Sequence, residues 1–374
     1  MKHGLSIACF ASAMAMPAWG IPSTLLARQA EPFQIESIAE FNEPWALAFL
    51  PNNHVLVTER SGSLFLVDPD TKVKSEISGV PSVVYEGQGG LGDVALHPQF
   101  EDNKLIYISY VEAGDNGTSG AVVARAPLAL NDDGSGALGD LEIVWTQVPK
   151  VVGSGHFSHR ILFGENATLW ISSGDRQQFD PAQDMSGNLG KILRLNDDGS
   201  IPADNPFAEE GGVTAEIWAL GVRNPLGFDL DEEGNIWEVE MGPAGGDELN
   251  LIEEGGNYGW PMVSQGDHYD GEPIPDHDTR PEFIPPKVFW NPVISPAGMI
   301  IYKGDLFPEW RGNALISGLG SQGIVRVEID GDTAREAERL PMGRRTRTVR
   351  ASADGALWTL EDGAGGRLLK LTPA

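Results

Sequence analysis

Residues 159–174 read HRILFGENATLWISSG. Two short apolar runs flank a turn of Gly, Glu, Asn and Ala, the pattern of a β-hairpin. The unit returns as ALAFLPNNHVLVTER (46–60), DVALHPQFEDNKLIYISY (93–110), LGFDLDEEGNIWEVE (226–240), GMIIYKGDLFPEWRGNALISG (298–318) and VRASADGALWTLED (349–362). Most copies lead into a further strand pair. Hairpin repeats with irregular insertions predict an all-β fold: one six-bladed β-propeller of four-stranded antiparallel blades over residues 33–374. A β-sandwich gives no reason for six similar units. The segment FQIESIAEF (33–41), ahead of the first copy, is expected to close the ring by pairing with the last blade.

The composition agrees. With 46 Gly and 26 Pro in 374 residues, the chain is too rich in helix breakers to be mostly helical. A formal charge of −28 repels phosphate backbones and anionic headgroups, which argues against nucleic-acid or membrane-surface partners. The N-terminus, MKHGLSIACFASAMAMPAWGIPS, joins a basic start to a short apolar stretch and small residues. It reads as a secretory signal over residues 1–20, with a periplasmic or secreted mature protein. The lone cysteine, Cys9, lies in that segment, so the mature chain is expected to hold no disulfide. No segment reaches the length of a spanning helix, so no membrane insertion is expected.

Strand partners across an antiparallel hairpin have a constant index sum. The turn centred between Glu165 and Asn166 therefore sets His156 beside Asp175. By the same rule Arg223 and Asn224 neighbour Gly242 and Pro243, and Arg347 faces Leu360 or Glu361. All fall at the open ends of their hairpins, which a propeller gathers on one face around its axis. A histidine beside an aspartate suits a general base, because the carboxylate fixes the tautomer and stabilises the imidazolium. The same pair also occurs as a loop staple. His159, set opposite Ser172, is the second candidate base. In GRRTRTVR (343–350), alternation puts Arg345 and Arg347 on one strand face, where two guanidiniums suit a multi-carboxylate or phosphate ligand. A solvated edge strand would look similar. DLDEEGNIWEVE (229–240) has EF-hand spacing but no flanking helices, and is read as a hairpin turn. Paired cysteines, HExxH, a phosphate-cradling Gly loop and a GxSxG elbow are all missing.

Several blocks resemble one family: PWALAFLPNNHVLVTER, GQGGLGDVALHPQF, GHFSHRILF, GNLGKILRLNDDGSIPADNPF, GVRNPLGF, GPAGGDELNLIEEGGNYGWP and NPVISPAGMIIYKGD. They are similar, in unbroken order from about residue 33 onward, to the soluble quinoproteins, the PQQ-dependent aldose sugar dehydrogenases and soluble glucose dehydrogenase. The resemblance implies a six-bladed propeller that oxidises the anomeric carbon of an aldose to a lactone with PQQ and calcium. It implies His156 as the base and Asp175 as its orienting partner. Arg223, Asn224, Arg345 and Arg347 would contact the quinone, and Gln88 the sugar. The carbonyls of Gly242 and Pro243 would hold a catalytic calcium, and Glu248 with the carbonyl of Tyr258 a structural one.

The chain departs from the pattern at four places. Gly320 stands where glucose dehydrogenase has a lysine at the quinone, Val222 and Met241 where histidines are common, and Leu226 where glutamine is. These changes are expected to make the site more apolar. Two other readings remain at this point: a calcium-dependent propeller lactonase, and a quinone-free propeller that binds carbohydrate or a protein. The sequence does not name the sugar or the electron acceptor, and leaves the state at monomer or homodimer.

Overall fold

The computed structural model describes Met1 and residues 33–131 and 134–374. The expected leader and Cys9 lie outside the described residues. Every one of the repeats folds as an antiparallel hairpin. The pairs are Pro44–Phe49 with Val55–Glu59, Leu91–Leu96 with Leu105–Ala113, and Ser158–Phe163 with Leu169–Ser173. Pro225–Leu230 pairs with Ile236–Glu240, Pro296–Ile301 with Ala314–Gly318, and Thr346–Ala351 with Leu357–Glu361. Further antiparallel strands extend them into four-stranded sheets. The sheets of the first two repeats are joined edge to edge, because Val73–Ser78 pairs in parallel with Gly136–Leu138. The EF-hand-like stretch is a hairpin turn, with Asp231 accepting the N–H groups of Glu233 and Asn235.

The opening strand of each repeat packs against that of the next, and the last packs against the first, which closes the circuit. Phe33–Asn42 completes the final sheet by pairing with Ala364–Pro373, as the sequence predicts. Buried apolar layers lie between neighbouring sheets. In one, Phe41, Leu47, Val55 and Val57 meet Trp358, Leu360 and Leu368. Burial of these faces supplies the main cohesive term.

Each opening strand also carries a register shift near its start, at Pro44/Leu47, Leu91/Val94, Ser158/Ile161, Pro225/Gly227, Pro296/Gly298 and Thr346/Thr348. Such a bulge adds one unpaired residue and re-aims what precedes it. Its effect is visible in the third repeat. Ile161 pairs with Ile171, one step off the turn-centred expectation, and beyond the bulge Ser158 pairs with Ser173, on it.

Two cavities lie at opposite ends of the opening strands. One of about 380 Å³ is bordered by Trp45, Ser158, Leu226 and Ser295, and one of about 370 Å³ by Phe49, Leu96, Phe163 and Ile300. Between them sits Arg160, fully buried. Its Nε donates to the Leu226 carbonyl at 2.7 Å and its guanidinium lies 3.7 Å from the Trp45 ring centre. Further bonds reach the Ala297 carbonyl and, at 3.4 Å, Asp93. Asp93 in turn accepts the Ile161 N–H at 3.0 Å.

Candidate functional site

The site is built where the third hairpin opens. The returning strand comes very close to the outgoing one, because a Cβ on Gly174 would stand 2.1 Å from the His156 carbonyl oxygen. Only glycine permits that approach. One residue later, Asp175 Oδ1 lies 2.7 Å from His156 Nδ1, both side chains being buried. The other Asp175 oxygen accepts Trp260 Nε1–H at 2.8 Å, and Oδ1 also accepts the Gln177 N–H at 2.8 Å. With both oxygens engaged, the carboxylate is fixed. The proton therefore rests on Nδ1, and Nε2 keeps its lone pair. Burial, then the Arg223 and Arg176 charges, outweigh Asp175 and hold the imidazole pKa below its ordinary value, so the ring is neutral at pH 7.

His159, the second candidate, lines the large cavity, as His156 itself does not, but its surroundings suit a base less well. It falls inside the bulge, its Nδ1 is 2.7 Å from Ser109 Oγ, and it stacks on Trp45. Burial pushes its pKa down to about 3, and no carboxylate is there to stabilise a cation.

Gln88 sits beside His156, with its Oε1 accepting the His156 N–H at 2.8 Å. It lines the 380 Å³ cavity with Arg345 and Arg347, which both donate from Nε to Asp362, each at 2.8 Å. The bulge between Thr346 and Thr348 places Arg347 between the partners Leu360 and Glu361 that the index rule left open. Burial opposes ionisation of Asp362, yet Arg347 and Arg345 hold its pKa below the usual carboxylate range. Arg60 adds a third cation to the wall and binds the carbonyls of Gly87 and Gly89, on either side of Gln88.

Arg223 borders a second, smaller cavity, and Asn224 follows it in the chain. Arg223 Nη1 donates to the carbonyls of Met241 and Gly242 at 2.9 and 2.7 Å, and its guanidinium lies 5.1 Å from the Trp260 ring centre. Its carbonyl accepts the Asp175 N–H at 2.8 Å, and Asn224 accepts Ser158 Oγ–H at 3.0 Å. The imidazole, its carboxylate and the Arg-Asn pair are therefore contiguous. Two donors here, Arg223 Nε and Asn224 Nδ2, are buried without a protein acceptor. Gly242, Pro243, Glu248 and Tyr258 all border this cavity of about 10 Å³, with Glu240 among them. Burial, against the backbone bonds from Arg223 and Asn224, pushes Glu240 up to about 7. The Tyr258 carbonyl faces His277 Nε2 at 3.0 Å.

Of the four departures, Leu226 and Met241 line the large cavity, and Met241 borders both. Val222 does not face the site: it is buried in the apolar layer with Ile192, Ala219 and Phe228. At Gly320 a Cβ would stand 2.9 Å from Ser295 Oγ and 3.0 Å from the Ile294 carbonyl oxygen, so a side chain there needs Ser295 to turn and the Ile294 carbonyl to give slightly.

Sequence reasoning missed Trp260, Asp362, Arg60 and Glu240. Asp362 had a signal, since it follows the returning strand of the sixth hairpin just as Asp175 follows that of the third. Trp260 and Arg60 reach the site from other loops and sheets, and no local pattern marks them.

Residues 41–370 match the glucose/sorbosone dehydrogenase family. The chain is 38% identical over 374 residues to aldose sugar dehydrogenase YliI of Escherichia coli K12, covering 98% of this chain and 96% of that one. Among solved structures, the apo form of the soluble E. coli aldose sugar dehydrogenase superposes with a TM-score of 0.85 at 38% identity, over 91% of this chain and all of the other (100%). The PQQ-bound aldose sugar dehydrogenase of Streptomyces coelicolor gives a TM-score of 0.75 at 26% identity, over 92% and 99% of the two chains.

Proposed function

Because the chain belongs to the glucose/sorbosone dehydrogenase family, we propose that it oxidises the anomeric carbon of aldoses to lactones, using PQQ and calcium. It is an oxidoreductase of the aldose sugar dehydrogenase kind. The observation that carries the reading is the buried His156–Asp175 pair, set beside two orphaned donors and next to an arginine-lined cavity.

The residues fit the cofactors. A cavity of about 380 Å³ is of ligand size, and Arg60, Arg345 and Arg347 suit a planar polyanion. Arg223 Nε and Asn224 Nδ2 lack the acceptors that a quinone carbonyl would bring. Around the small cavity stand oxygens of Gly242, Pro243, Glu248, Tyr258 and Glu240, of the kind a hard cation prefers, and a cation there would have to displace Arg223 from the Gly242 carbonyl and His277 from that of Tyr258. When bound, PQQ supplies the acceptor for the hydrogen and electron pair that leave the anomeric carbon, and calcium supplies a Lewis acid.

This chain's own part begins with proton transfer. His156 Nε2 takes the proton of the anomeric hydroxyl. Asp175, 2.7 Å away, stabilises the imidazolium that forms. Trp260 and Gln177 keep Asp175 from turning, so no reorientation is needed during the step. Gln88 fixes the His156 backbone and presents its amide to the sugar side of the cavity. Leu226 and Met241 exclude water from the same wall.

We further assign residues 33–374 to one six-bladed propeller, supported by the repeated hairpins and the cyclic packing of their first strands. Export behind a cleaved leader at residues 1–20 completes the assignment. Among the described residues, no helix is long and apolar enough to cross a membrane.

The test is reconstitution. Purified protein receives PQQ and calcium, then an aldose and a dye acceptor. Dye reduction that disappears in His156→Ala is expected. Lactone hydrolysis without quinone would select the hydrolase instead, and sugar binding without turnover the binding protein.

A further inference from the structure

The segment that carries the base is bent in an unusual way. His156, Ser158 and His159 have φ of +48°, +58° and +57°. Residues with a Cβ adopt this region at a cost of about 1 kcal/mol or more each, so the surroundings must hold them there. The largest holder is a side chain that the mechanism above does not use.

We propose that Arg176 is the positioning residue for His156: it clamps the backbone that leads into the base, packs on the ring that follows it, and sets a fixed positive charge beside it. The Arg176 Nε donates to the Gly155 carbonyl at 2.9 Å, and Nη2 to the Gly153 carbonyl. Nη1 reaches across to the Ser119 carbonyl of the preceding repeat at 2.6 Å, and the guanidinium sits over Phe157, 3.7 Å from its ring centre. Its own N–H donates to the His156 carbonyl at 3.3 Å. Residues 153, 155, 156 and 157 are all gripped by one residue. A planar fork does this and an ammonium does not.

The choice of a cation is informative. Arg176 is fully buried, and its side-chain bonds go to carbonyls and the Ser119 hydroxyl, with no carboxylate among them. A buried charge held this way costs more than an apolar filler of the same size, so filling space does not explain it. Burial pushes its pKa down to about 10, which leaves it charged at neutral pH. The charged groups facing His156 are Asp175 beside it, Arg223 from the next repeat and Arg176. Asp175 favours the imidazolium, and the two arginines oppose it. Arg176 thus adds to burial and to Arg223 in keeping the imidazole free of its proton. The kinetic half of this inference rests on His156 being the base; the titration half does not.

The experiment follows the His156 ring by NMR in the full chain before quinone is added, as pH is varied, in wild type, Arg176→Met and Arg176→Lys. Arg176→Met is expected to raise the His156 midpoint by about half a unit or more, since a like charge is gone. Arg176→Lys keeps the charge and loses the fork. It is expected to leave the midpoint within about 0.2 unit while kcat with quinone falls about tenfold or more with little change in KM. If Arg176→Met does not fold, Arg176→Gln gives the same neutral comparison. An unmoved midpoint in the neutral variant overturns the electrostatic role. Equal upward shifts in the lysine and neutral variants overturn it too, because packing alone would then be responsible. Wild-type kcat in Arg176→Lys overturns the clamp. A shifted midpoint in a chain that oxidises no aldose would sink the proposed function and leave this inference standing.

Discussion

Replacing Asp175 by asparagine removes one charge and almost no volume. Asp175 is buried, 2.7 Å from the imidazole, and both of its oxygens are hydrogen-bonded. With charge centres about 4 Å apart and an effective dielectric near 20, the carboxylate stabilises the imidazolium by about 4 kcal/mol. That corresponds to roughly a thousandfold in rate if the proton is largely transferred at the barrier. Geometry adds to the loss. Trp260 Nε1–H needs an acceptor, so asparagine keeps its oxygen there and turns its amide toward Nδ1. The imidazole is then driven to the tautomer with Nε2 protonated, which accepts nothing. We expect kcat for aldose-dependent dye reduction to fall about 10³-fold or more, with quinone affinity within a few-fold of wild type. NMR of the ring nitrogens should show the tautomer exchanged. A variant retaining kcat within tenfold, with Nδ1 still protonated, would refute the reasoning.

Arg347→Ala should weaken PQQ binding by about 1.5–3 kcal/mol, the worth of a charged hydrogen bond, or roughly 10- to 150-fold in Kd by fluorescence titration; an unchanged Kd would remove Arg347 from the cofactor wall. Calcium should raise the melting temperature of the wild-type chain, by an amount equivalent to about 2.7 kcal/mol at a hundredfold excess over Kd, and Glu248→Gln should abolish the rise. An identical calcium shift in that variant would place the ion elsewhere. Because His156 has its folded pKa below the ordinary 6.5, the unfolded chain binds more protons as pH falls past that value. Its contribution to stability is therefore complete above about 6.5 and lost below it. His156→Gln should flatten that part of a denaturation-versus-pH curve, and an equally steep curve counts against the shift. Phe41→Ala, in the layer beside the closing strand, should cost about 3–5 kcal/mol in denaturant unfolding; a loss under about 1 kcal/mol would mean that this layer does not bear the closure.

The hairpins and the His156–Asp175 neighbourhood were legible because turn position sets register, and register sets who faces whom. The bulges were not. A one-residue shift in each opening strand leaves no residue signature, yet it alters the pairing throughout the strand body and restores it at the site. The expected partner of His156 was thus right while that of Ile161 was off by one. Arginines 345 and 347 were visible as a local excess of charge. Their carboxylate, Asp362, was not, since its charge is unremarkable in so acidic a chain until its place after a returning strand is noticed. Trp260 escaped for a different reason: a tryptophan in a loop announces nothing until tertiary folding brings its ring nitrogen to Asp175. Val222 shows the converse error, a position read as part of the site from its sequence neighbours whose side chain points into an apolar layer instead.

Arg160, fully buried, ties the second, fourth and fifth repeats together between the two end cavities, where it stands in the way of passage from one to the other. Whatever enters on the His156 side must also depart there. In the dye assay, aldose and acceptor then take turns at one doorway, and the second caller waits until the product has gone. Crowding with sugar should slow the oxidative half of the cycle, so that turnover declines at high aldose concentration rather than reaching a plateau.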